Sequence, residues 1–182
     1  MVKKLIGSAA LTPSSDTGFD LDTKGQIHGY TSTQYALDVG NDSDILVCDS
    51  GEASGLKYTA NTTSFILACS DETTAISDTG TVLTFYMPYD YTVTAVRASL
   101  TTSATGGTLL AVDINEGGTS ILDPVITIDA SETTSTTAAT APVIDDPDLA
   151  NDAEMTVDID QIDSGGVSAG LKVYIIGYRV AH

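Results

Sequence analysis

Carboxylates are the one abundant class of chemically active side chain in this sequence. Asp145, Asp146, Asp148 and Asp152 crowd a single segment, and Asp158, Asp160 and Asp163 follow it. Calcium prefers clustered carboxylate and carbonyl oxygens on a bent loop. Asp145, Asp146, Asp148 and Asp152 are therefore the candidate metal ligands, and calcium is the one candidate cofactor. The EF-hand pattern is absent. Pro147 and the alternating Asp positions also fit a solvated turn and strand face, which is the reading we favour.

Other chemistries find less support. His28 and His182 are the only imidazoles, and neither position suits a base held rigidly beside a nucleophile. There is no G-x-S-x-G elbow, phosphate loop, dinucleotide fingerprint or zinc spacing. Paired carboxylates can cleave glycosides, but the chain has no Trp and only 6% aromatic residues to stack sugars. No catalytic residue is assigned, and the chain is read as non-enzymatic. Cys48 and Cys69 lack CxxC spacing and are expected to be buried thiols acting as small apolar residues.

The elements that must position these groups read as strands. Candidates in the second part of the chain are Ser64–Ser70, Thr81–Met87, Tyr91–Thr101, Thr108–Asn115, Thr119–Leu122, Val125–Ile128, Pro142–Ile144, Ala153–Gln161 and Leu171–Val180. Glycine pairs, Pro88 and the DDPD run punctuate them. Leu110, Val112 and Ile114 lie on one face, as do Met155, Val157 and Ile159, while Asp113, Thr156, Asp158 and Asp160 point outward, the pattern of half-buried antiparallel strands. Phe65–Cys69 and Leu171–Val180 are apolar on both faces and need a second cover, from the preceding arm or a neighbouring subunit. The tract Ser131–Thr140 reads as an edge strand or long loop, and Tyr86, Tyr89 and Tyr91 as packing at a sandwich end. The predicted fold is all-β: an antiparallel β-sandwich, jelly-roll-like, over residues 61–182.

Ahead of it, residues 1–23 are small, polar and Gly/Ser/Thr-rich, the composition of an extended arm. The start MVKKLIGSAALTP is read as an anchoring peptide rather than a signal peptide. Residues 24–60 carry strand-like pieces at Tyr35–Val39, Ile45–Asp49 and Leu56–Tyr58, split by Gly40-Asn41 and Ser50-Gly51. They are too polar and Gly-broken to form a core alone, so other copies or a partner surface must complete one.

Across the 182 residues, seven basic residues face 25 acidic ones, for a net charge of −18. Such a chain repels phosphate backbones and anionic lipid surfaces, so neither nucleic acid nor membrane is an expected partner. Solubility, or adaptation to a salty milieu, accounts equally for the acidity.

The stretch DVGNDSDILVCDSGEASGLKY, ending at Tyr58, resembles a short linker that recurs in tail-fibre and other virion proteins of tailed viruses. Those linkers share its Gly-Asn turn, its apolar run ending in Asp-Ser and its Gly-Leu-Lys-aromatic close. The downstream MPYDYTVTAVRASLTTSATGGTLLAVDINEGGTSIL is similar to the β-sandwich that often follows. The linker usually closes on Trp, where this chain has Tyr58, and it occurs once rather than in repeats, which favours a short assembly over a long fibre. The resemblance implies a homotrimer located in the virion. On that reading residues 24–60 trimerise and the arm contacts the major capsid protein or another virion protein. The expected function is capsid decoration or a short head spike. The alternative is a tail-fibre module recognising a host glycan or protein through the loops Thr101–Gly107, Asp145–Asp152 and Asp163–Gly170.

Overall fold

A computed structural model describes residues 27–30, 34–41 and 44–180. The predicted arm, residues 1–23, lies outside the described residues. The chain divides into two compact units, Met1–Ala60 and Asn61–His182.

In the first unit, strands β1 (Ile27–Tyr30) and β2 (Gln34–Leu37) pair antiparallel, as do β3 (Asp44–Cys48) and β4 (Leu56–Ala60). A Lys57–Asp49 ion pair of 2.5 Å, with Gly51 N–H donating to Asp49, fixes the β3–β4 turn. Gly40 passes so close to the Tyr58 ring that a Cβ there would stand 2.6 Å from its Cγ. That contact explains the glycine before Asn41. A two-stranded hairpin has little to pack against, and Val39, Ile45 and Leu46 are left 52%, 42% and 40% exposed. Cys48 is exposed as well, contrary to the expectation of a buried thiol, and Leu46 on the same face of β3 is exposed with it.

The second unit holds β5 (Thr62–Ala68), β6 (Gly80–Tyr86), β7 (Tyr91–Ser99), β8 (Leu110–Glu116), β9 (Thr119–Ser120), β10 (Ile126–Ile128), β11 (Asp148–Leu149), β12 (Glu154–Gln161) and β13 (Lys172–Arg179). One sheet runs β11-β7-β13-β5 and the other β10-β8-β12-β6, with β9 against β8. The pairings β8·β10, β7·β11, β6·β12 and β5·β13 are the successive rungs of one long hairpin. Rolling that hairpin up adds β7·β13 and β8·β12. This nested order is a jelly roll.

Alternation places the core. Leu110, Val112 and Ile114 of β8 and Met155, Val157 and Ile159 of β12 point inward, against Val93, Val96 and Ala98 of β7 and Val173 and Ile175 of β13. All are buried in one cluster spanning both sheets. Tyr91 is also buried, its hydroxyl donating to the Thr63 carbonyl at 2.9 Å and its ring edge-on to Phe65.

Some elements depart from expectation. Pro142–Ile144 is not a strand; only Ile144 makes a bridge, to Leu122. The pairing strand of that region is instead β11, inside the DDPDL run. Ser131–Thr140 is a loop carrying a 3₁₀ turn at Ser135–Thr137. The Ser135 hydroxyl accepts from Ala98 N–H and so caps part of the β7 edge.

Candidate functional site

The four candidate metal ligands sit where β11 begins and where the chain turns into β12. Asp145, Asp146, Asp148 and Asp152 are all exposed. Asp148 accepts from Thr92 Oγ1 at 3.0 Å, and Asp146 accepts from Asp148 N–H at 3.3 Å. Asp152 holds φ +63 in the turn that returns its N–H to the Met87 carbonyl. Among the described residues, no three or more His, Cys, Asp or Glu side chains are arranged to hold a metal ion. His182 lies outside the described residues, as does the side chain of His28.

The three loops expected to share a surface fall at two poles. Thr101 and Thr102 bond to Ala169, and Thr108 N–H donates to Ser164 Oγ, joining loops 101–107 and 163–170 at the pole where β7 ends. Asp163 anchors that pole. Burial alone would raise its pKa, but hydrogen bonds from the Ser168 hydroxyl and from Ser168, Gly165 and Gly166 N–H bring it below the usual carboxylate range. Loop 145–152 lies instead at the pole where β7 starts, because Asp148 pairs with Thr92. Nine residues of β7 separate the two.

That second pole also carries the tyrosines. Tyr86 is exposed and donates to Glu154 at 2.8 Å. Tyr89 is half-buried under the Arg179 guanidinium, 5.0 Å from the ring centre. Packing explains Tyr91 fully, whereas Tyr86 keeps its ring in solvent.

An acidic group that sequence spacing does not reveal lies on the outer face of the β8–β12 sheet. Asp113 and Asp158 stand directly opposite on neighbouring strands. Asp113, only 8% exposed, accepts from Ser120 Oγ at 2.7 Å and from Ile114 N–H at 2.8 Å. Asn115 Nδ2 donates to one oxygen of Asp158, while the other, Oδ1, is shielded from solvent without a hydrogen-bond partner. Burial pushes the Asp113 carboxyl above its ordinary pKa, and the Asp158 charge adds to the rise. Asp160 is raised by burial and by both neighbours. Arg97, Lys172 and Arg179, the only basic residues from 61 to 182, all belong to the other sheet. Lys172 is engaged there with Glu72, which also accepts from Thr101.

Carboxylates facing one another without a cation can bind protons; the one hydroxyl against them, Ser120 Oγ, is tied to the Leu122 backbone as a turn cap, and no imidazole stands beside the pair among the described residues. The remaining thiol, Cys69, is buried, and burial pushes its pKa up to about 11, so it is not a thiolate nucleophile near neutrality. The chain matches no known family, and no curated protein matches it.

Proposed function

We propose that this protein is a non-enzymatic structural component of a tailed-virus particle, a capsid-decorating protein or short head spike. Residues 1–23 bind the shell, residues 24–60 trimerise, and the jelly roll projects outward. The observation that carries this reading is the set of large apolar side chains left in water in the first unit, Val39 after β2 and Ile45 and Leu46 on β3, where none of the described residues is buried. Exposed apolar groups on a marginal scaffold are covered when copies or a shell surface supply the other half. The linker-like stretch ending at Tyr58 favours the virion as the place where that happens. Binding of such a module stabilises a shell by mass action.

Deleting residues 1–23 tests this. Purified particles should lose the protein while the truncated chain keeps the melting temperature of its sandwich. Retention of the truncated chain on particles would overturn the arm's role. A second reading, a tail-fibre module recognising a host glycan or protein, is favoured by the hydrogen-bonded meeting of loops 101–107 and 163–170 into one surface. Immunogold labelling separates the two: head labelling supports decoration, tail labelling supports recognition.

A further inference from the structure

The sandwich closes its two sides differently. One side ends in β10 and β11, strands of three and two residues. Among the described residues the other ends in β5 and β6, each of seven residues with no charge and no proline. Soluble proteins usually blunt free edges with short strands, charges, prolines or bulges. In β6 the register shifts opposite Val157 and Asp158, leaving Val82 as an extra, bulged residue. In β5 nothing interrupts the pairing with β13 from Thr62 to Ala68.

The direction of the β5 backbone groups follows from its hydrogen bonds. Cys69 N–H donates to the Leu171 carbonyl. Alternation then turns Leu67 and Phe65 toward β13 and the N–H and C=O groups of Ser64, Ile66 and Ala68 to the open side. Ile66, near the middle of that row, is 62% exposed.

We propose that β5 is a docking edge for a second copy of this chain. The two β5 strands run antiparallel about a two-fold axis and join two four-stranded sheets into one. Setting Ser64 of each copy opposite Ile66 of the other lets both residues donate and accept at once. An antiparallel edge is its own complement, so one two-fold contact satisfies both chains. Charge selects the same surface. Residues 61–182 are strongly acidic, so copies repel wherever carboxylates face each other, and β5 is a full-length strand edge that carries none. The proposal rests on the sheet edge alone and goes beyond the virion reading.

Sedimentation of the full chain, wild type against Ile66→Pro and Ile66→Lys, tests it. Ile66→Pro removes an N–H that points to the open side and leaves the β13 ladder intact. Ile66→Lys places a charge on the edge without touching the core. The wild type should sediment at a multiple of at least twice the 18.8 kDa chain mass, and both variants should halve that mass. Val143→Lys, on an exposed side chain away from this edge, should leave it unchanged. If Ile66→Pro melts early, Ile66→Lys decides. A wild type at single-chain mass up to its solubility limit, or variants that keep the wild-type mass, would overturn the proposal. A mass three times the chain's that neither substitution alters would also refute the edge contact, while leaving trimerisation through residues 24–60 standing.

Discussion

Replacing Asp158 by Asn should stabilise the sandwich. Asp113 and Asp158 are direct cross-strand partners, whose Cβ atoms lie about 5 Å apart in such a pair. Two unit charges at about 5 Å repel by roughly 3 kcal/mol at an effective dielectric near 20. Both carboxylates keep some contact with water, and measured cross-strand charge pairs fall at or below about 1 kcal/mol. We therefore expect Asp158→Asn to add about 1 kcal/mol at pH 7, a rise of roughly 4 °C in melting temperature for a domain of this size. The amide retains an oxygen for Asn115 Nδ2 and brings a donor beside the Asp113 carboxylate.

The pH dependence sharpens the test. Asp113 and Asp160 are raised in the folded state. A raised carboxyl contributes stability that is complete below its unfolded pKa and is lost as pH rises through its folded pKa. The wild type should therefore lose this contribution on going from about pH 4 toward neutrality. Asp163, Glu72 and Asp71 are lowered and act in the opposite sense, their contribution fading as pH falls. They are unchanged in the variant, so the difference between the two melting curves isolates the pair. Scanning calorimetry between pH 4 and pH 8 should show the advantage of Asp158→Asn growing with pH. A variant that melts lower than wild type at pH 7, or whose advantage is independent of pH, would refute the repulsion argument.

Gly177→Ala should destabilise by roughly 3 kcal/mol or more, because the added Cβ would meet the Thr92 carbonyl oxygen at 2.0 Å and the Tyr91 ring at 2.8 Å; urea denaturation measures it, and a loss below about 1 kcal/mol would mean that β7 yields easily. A thiol reagent at pH 8 should label Cys48 in the folded chain and reach Cys69 only after denaturation, since burial has pushed the Cys69 pKa to about 11. Labelling of both thiols at equal rates would show that the core opens on the timescale of the reaction.

The all-β class and the inward residues were legible because alternation is a local property. Leu110, Val112 and Ile114, like Met155, Val157 and Ile159, announce their buried face within a few positions. Strand β11 was not legible: two residues amid four aspartates become a strand only because β7 offers an edge at Tyr91 and Thr92. Pro142–Ile144 erred the other way, an apolar run that packs on the core without joining a ladder. The same limit governs the carboxylates. Composition drew notice to the run from Asp145 to Asp152, whose members face water one by one. The pair that truly confronts itself, Asp113 and Asp158, is made by β8 and β12 registering across a long stretch of sequence. The outer cover expected over β13 is only partial: Tyr174, Ile176 and Tyr178 are half-buried, and Ile66 beside them is open.

The outermost rung of the rolled hairpin has a mechanical corollary. Thr62 stands opposite Tyr178, so the polypeptide enters and leaves the jelly roll at one pole. A pull on the start of β5 or on the end of β13 is therefore applied at that pole, and residues 101–107 meet 163–170 at the opposite one.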